Sequence, residues 1–186
     1  REPVAEHALM LALSLARVLP ERLTAKTWGR KYADTLYDSD VLIVGGGGIA
    51  QEISRLLSPF RAKVTVIRKH AGAIEGARET KPFDALETAL PSADFVFLAA
   101  ALTDETLGLF DAKKFALMKP SAYLVNIARG AMVVSADLES ALRDGQIAGA
   151  GIDVTDPEPL PDGHSLWECP NLIITPHTAD TPEMCI

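Results

Sequence analysis

Six short apolar runs separated by stretches of helical periodicity predict an α/β fold, a doubly wound parallel sheet of six or seven strands with helices on both faces. The runs fall at 41–44, 64–67, 95–99, 123–126, 148–152 and 172–175. They are apolar nearly throughout, without strict alternation, as expected of strands covered on both faces. The second observation is a glycine cluster, Gly45-Gly46-Gly47-Gly48, lodged between the first run and the first amphipathic stretch after it.

Residues 4–19 read as a mostly buried helix, with Pro3 suited to its first turn and Pro20 ending it. Residues 21–38 are polar, contain Trp28-Gly29 and read as a connecting arm. The strand–helix alternation begins after them. Helical periodicity is clearest at 49–57 and 136–143, and Asp144-Gly145 supplies the C-terminal stop of the second of these. There is no internal repeat and no low-complexity tract. Both tryptophans, Trp28 and Trp167, read as packing residues, and His164 as a solvent-exposed turn residue.

Composition narrows the function classes. The chain has 186 residues, enough for one domain or slightly more with a substantial core. A net charge of −7 argues against a nucleic-acid surface, which needs a basic face. The two cysteines, Cys169 and Cys185, form no disulfide framework, so a reducing, cytoplasmic setting is expected. No membrane span is expected, because Glu6, His7, Ser14 and Arg17 interrupt the longest apolar run. That run also lacks the basic leader of a secretory signal. No metal site is expected.

The glycine cluster fits G-x-G-x-x-A. Gly45 makes the tight turn, Gly47 allows close approach of a pyrophosphate, and Ala50 lets helix and strand pack closely. The backbone N–H groups of Gly48 and Ile49 then face the anion at the helix N-terminus. The second run ends in Arg68-Lys69-His70, with no acid where one would bind a ribose 2′-hydroxyl. An arginine there suits a 2′-phosphate, so NADP is expected in preference to NAD. Three polar residues follow apolar runs in the second half: Arg129 in Asn126-Ile127-Ala128-Arg129-Gly130, Glu158 in a Pro-rich turn, and His177 after Thr175-Pro176. A cation, a carboxylate and an imidazole are the parts needed to hold an acid and move a proton.

These stretches resemble the NAD(P)-dependent D-isomer-specific 2-hydroxyacid dehydrogenases. The resemblance is carried by Val4-Ala5-Glu6-His7, the glycine turn, Leu102-Thr103-Asp104-Glu105-Thr106 and 126–130. It continues through Gly149-Ala150-Gly151-Ile152-Asp153-Val154, Glu158-Pro159-Leu160-Pro161 and 171–177, in the family's order along almost the whole chain. Ala50 and Ala101 depart from it, standing where the family commonly has a third glycine and a proline.

The resemblance implies reversible hydride transfer between NAD(P)H and a small 2-keto acid. Arg129 would bind the substrate carboxylate, His177 would donate the proton, and Glu158 would orient and charge His177. Thr103, Ala128 and Asp153 would contact the cofactor. Arg68 makes the chain similar to the glyoxylate and hydroxypyruvate reductases of the family. The resemblance also implies a homodimer to which helix 4–19 contributes. It divides the chain into a linking helix and arm (1–38), the dinucleotide-binding domain (39–178) and the start of a return to a substrate domain (179–186). A dinucleotide-sensing corepressor on the same fold is the competing reading. His7 is expected to be a packed or interface histidine.

Overall fold

The computed structural model describes residues 1–29, 31–70 and 72–180, so Cys185 and the residues beyond 180 lie outside the described residues. Seven parallel strands form one sheet in the order β3-β2-β1-β4-β5-β6-β7. The strands are β1 (Asp40–Val44), β2 (Lys63–Ile67), β3 (Glu79–Lys81), β4 (Phe95–Leu98), β5 (Tyr123–Asn126), β6 (Gly149–Ile152) and β7 (Leu172–Ile174). The chain winds outward from β1 to β3, then crosses back to β4 and winds the other way. The strand order therefore reverses between β1 and β4, where such sheets form a crevice at the strands' carboxyl ends.

Consecutive strand residues point to opposite faces, and here both faces are covered. Leu42, Val44, Val96, Leu98 and Leu124 enter one core layer, while Val41, Ile43, Phe95, Phe97 and Val125 enter the other. That two-sided burial is why the runs are apolar without alternation. The second layer is roofed by α1 (Glu2–Ala16) and α3 (Gly48–Leu57), which pack against each other. Helix α1 turns Ala5, Ala8, Ala12 and Ala16 inward, all fully buried. With so little side chain between them, α1 and β6 approach until a Cβ on Gly151 would lie 3.0 Å from that of Leu11. On the opposite face α4 (Leu86–Ala89), α5 (Ala112–Leu117) and α6 (Ser135–Arg143) close the other layer around Phe110 and Phe115. Burial of each such phenylalanine contributes about 2–3 kcal/mol relative to exposure.

Several expectations need correction. Helix 4–19 is two helices. Val18 takes a left-handed conformation (φ 53°), and Pro20 then sits in the first turn of α2 (Leu19–Thr24), starting a helix where it was expected to end one. The arm after Pro20 is thus partly helical. A seventh strand, β3, has the polar sequence Glu-Thr-Lys and pairs at the sheet edge. Trp28 is 87% exposed and Trp167 half-exposed, so neither is a packing residue. His164 is partly buried, its Nδ1 accepting from the Leu166 N–H to cap a short turn. Among the described residues no helix is long and apolar enough to cross a membrane, and no cluster of His, Cys, Asp and Glu is arranged to hold a metal ion.

Candidate active site

The glycine turn leaves β1 at Val44. Gly45 has φ 120°, a conformation L side chains rarely adopt, and its N–H donates to the Ile67 carbonyl at 2.8 Å. A Cβ there would sit 2.5 Å from the Ala99 carbonyl oxygen at the end of β4. Gly47 caps α3, and a Cβ on it would meet nothing within 4 Å. Ala50 is fully buried under the helix, so an alanine satisfies the third position of the motif. The first N–H groups of α3, on Gly48 and Ile49, are of the kind that have no partner within their own helix.

The turn opens onto a cleft of about 570 Å³, walled by the Arg68-Lys69-His70 turn and by residues 99–101 and 103–106. Its volume is that of a small-molecule site. Arg68 is half-buried, and its backbone N–H is tied to the Lys81 carbonyl at 3.0 Å, so β3 fixes where the side chain starts. Its guanidinium lies over Gly46 and has no hydrogen-bond or ionic partner among the described residues. Lys69 reaches across the rim to Glu105 at 2.9 Å. On the far wall Thr106 organises the loop: its hydroxyl donates to the Ala101 carbonyl and accepts from the Thr103 N–H, both at 2.8 Å. The loop is thereby closed without a proline at 101.

The second group of residues gathers on the connections after β5, β6 and β7. Buried Asn126 ends β5 and locks the next turn: its amide donates to the Arg129 carbonyl at 3.0 Å and its carbonyl accepts from the Ala128 N–H at 3.1 Å. Arg129 stands exposed in extended backbone. Gly130 abuts the Thr155 carbonyl so closely that any Cβ would overlap it, which brings the Arg129 turn against the turn carrying Glu158. Glu158 Oε1 and His177 Nδ1 are 2.6 Å apart, with both side chains roughly half-exposed. The hydrogen bond with His177 holds the Glu158 carboxyl below the usual carboxylate range. The Thr155 N–H and the charges of His177 and Arg129 act in the same direction, against partial burial.

His177 itself is left-handed (φ 53°), which for a residue with a Cβ requires support from its surroundings. Its N–H donates to the Asp153 carbonyl at 2.9 Å. The Asp153 carboxylate, 2% exposed, accepts from the Thr175 hydroxyl at 2.6 Å and from the Thr178 and Ala179 N–H groups at 3.0 Å. Behind the Glu158–His177 pair lies a cavity of about 280 Å³ lined by Pro159, Leu160, Trp167, Ile174 and Pro176.

Gly45, Gly47, Arg68, Lys69 and Thr103 thus share one cleft, with Gly48 and Ile49 starting the helix beside it. Glu158 and His177 form a contact across nineteen residues. Ala128 is buried, with its side chain in the core layer. Asp153 devotes its carboxylate to the 175–179 turn beneath His177. Thr106, Thr175 and His7 also build the site and were not singled out from sequence as doing so. Each lies in a stretch that carries the family resemblance, 102–106, 171–177 or 4–7, but none of those stretches announces the contacts its side chain makes.

A reversing parallel sheet with a glycine turn at the switch point defines a Rossmann-type dinucleotide-binding domain. The sequence model described as the D-isomer specific 2-hydroxyacid dehydrogenase NAD binding domain matches residues 8–179, and the chain belongs to that family. It is 41% identical over 98% of its length to an uncharacterized protein in the proB 3′ region of Corynebacterium melassecola, covering 62% of that protein. It is 36% identical to a glyoxylate reductase/hydroxypyruvate reductase of Mus musculus, over 95% of this chain and 56% of the relative. Two solved family structures align closely. The NAD-complexed D-isomer specific 2-hydroxyacid dehydrogenase of Lactobacillus delbrueckii ssp. bulgaricus has a TM-score of 0.86 at 30% identity, covering 98% of this chain and 60% of that one. The Xanthobacter autotrophicus Py2 enzyme with NADPH and MES has 0.87 at 32%, covering 96% and 57%. The chain therefore spans less than two thirds of the length of these proteins.

Proposed function

We propose that the protein carrying this chain is an NAD(P)-dependent D-2-hydroxyacid dehydrogenase that prefers NADPH and reduces a small 2-keto acid, glyoxylate or hydroxypyruvate first among them. The observation that carries the reading is the 2.6 Å contact between Glu158 and His177, at the carboxyl ends of the strands, where the glycine-walled cleft also lies. The cleft suits a dinucleotide: open space over Gly47 leaves room for a pyrophosphate, and Arg68 over Gly46, without a partner among the described residues, supports the reading of a 2′-phosphate. Bound there, the nicotinamide supplies the hydride.

The chain's own residues do the rest. Arg129 binds the substrate carboxylate through its planar fork and draws charge from the adjacent carbonyl. His177 gives a proton from Nε2 to the oxygen that becomes the hydroxyl, because Nδ1 is engaged by Glu158. Glu158 stays ionised, fixes the ring and favours its charged form. Asp153 supports the cofactor side of the site from beneath. We further propose that residues 1–38 link to, and residues 179–186 return toward, a substrate domain. The protein is read as a cytoplasmic homodimer in which α1 contributes to the interface.

The test is cofactor oxidation by the complete gene product with glyoxylate, hydroxypyruvate and pyruvate. NADPH is expected to be used at least about tenfold more efficiently than NADH, the worth of one charge-assisted contact. Arg68→Asp is expected to reverse the order. Cofactor binding without turnover of any small 2-keto acid would overturn the assignment of activity. An unchanged preference in Arg68→Asp would overturn the assignment of cofactor.

A further inference from the structure

His7 is an oddity in α1. Its neighbours on the inward face, Val4, Ala8 and Leu11, are apolar and buried, yet position 7 carries an imidazole whose side chain is only 15% exposed. A histidine there costs desolvation that a leucine would avoid, so its polar atoms need a use. That use is visible across 168 residues of sequence: His7 Nε2 lies 2.9 Å from the Thr175 hydroxyl and 3.4 Å from Asp153 Oδ1.

The hydrogen-bond inventory fixes the direction of this chain. Asp153, as a carboxylate, only accepts, so the single hydroxyl proton of Thr175 goes to it across 2.6 Å. Thr175 Oγ1 is then an acceptor toward His7, and His7 carries its proton on Nε2. The two Asp153 oxygens also take the Thr178 and Ala179 N–H groups, and its carbonyl takes that of His177. Besides the contact with Glu158, the hydrogen bonds that hold the turn about His177 run through Asp153 and Thr175, and His7 reaches both from α1.

We propose that His7 is a positioning residue, holding through Thr175 and Asp153 the turn that presents His177 to the substrate. The proposal rests on the reading of His177 as the proton donor, so the experiment includes a signal that needs no turnover. In the complete gene product, His7→Leu, His7→Ala and His7→Gln are compared for kcat, KM and cofactor Kd. The His177 Nδ1–H in the Glu158 hydrogen bond is followed by NMR with ¹⁵N-labelled histidine. Leu and Ala are expected to lower kcat about tenfold, the weight of one hydrogen bond, with cofactor Kd within twofold. They are also expected to broaden or shift the His177 signal. Gln, whose Nε2 donates as the imidazole Nε2 does, restores both. Leucine with unchanged kcat and an unchanged His177 signal would reduce His7 to packing. Gln as impaired as Leu would show that the hydrogen bond is not the agent. Should the protein reduce no 2-keto acid, the assignment of activity fails, while the NMR comparison still decides whether His7 sets His177.

Discussion

Alanine at Gly45 and alanine at Gly47 should separate folding from binding, although the two positions are neighbours in one turn. At Gly45 the φ of 120° alone costs roughly 1–2 kcal/mol for a residue with a Cβ. The new methyl would also meet three backbone atoms of Ala99 and Ala100 at 2.5–2.7 Å, which cannot swing away as a side chain can. Displacing the end of β4 adds about 1–3 kcal/mol, as overpacking does elsewhere. Gly45→Ala is therefore expected to lose about 3 kcal/mol, a fall in Tm of roughly 6–12 °C at this chain length. Gly47 differs on both counts, with an ordinary φ of −78° and no atom near its Cβ direction. Alanine there is a slightly poorer helix cap but restricts the unfolded chain, and the two effects nearly cancel, leaving stability within about 0.5 kcal/mol. What it fills is the space proposed for the pyrophosphate. Thermal unfolding without ligand, paired with a fluorescence titration of NADPH, measures both effects. A Gly47→Ala variant that binds NADPH like the parent would refute the placement, and an unaltered Tm in Gly45→Ala would refute the packing argument.

Two further outcomes concern stability. Tyr123 is buried and donates to Asp34 at 2.6 Å, and burial together with that carboxylate pushes its phenol well above its ordinary value of 10.0. Its neutral form is thus favoured by folding: the contribution is complete below pH 10 and is lost at higher pH by up to about 1.4 kcal/mol per unit. Tyr123→Phe should flatten that alkaline limb in urea unfolding, and an identical limb would show another group responsible. Ser54, fully buried in α3, has a hydroxyl with no hydrogen-bond partner among the described residues, so Ser54→Ala is expected to be neutral or to stabilise by about 1 kcal/mol. A loss above about 1 kcal/mol in the same assay would mean the hydroxyl is satisfied in solution.

The parts of this molecule that were legible in sequence are those whose physics is local. Strands β1, β2 and β4 announce themselves because both faces are buried and nearly every residue past their first is apolar. The glycine turn does so because backbone geometry admits no other residue at Gly45. Strand β3 was invisible, since three polar residues at an edge carry no burial signal and exist as a strand only through pairing with β2. The break at Val18 was hidden because a β-branched residue rarely takes a left-handed conformation, and Pro20 reads equally as an end or a beginning. In the site, Arg129, Glu158 and His177 stood out by type and place. The distances that join them, and the tie from His7 to Thr175, arise from tertiary closure between segments far apart in sequence.

The location of the Glu158–His177 pair has a consequence for how the protein fails. His177 is carried by the turn after β7, a three-residue, half-covered strand that among the described residues pairs only with β6, whereas Glu158 hangs from the connection after β6. Edge segments with few buried contacts open at far lower free energy than the whole domain unfolds. A fluctuation that lifts β7 alone would part the carboxylate from the imidazole while the glycine cleft, whose walls follow β1, β2 and β4, keeps its shape. Local opening at β7 is therefore expected to disturb the Glu158–His177 contact at a lower free energy than it takes to open the glycine cleft, as hydrogen exchange along residues 172–178 would measure.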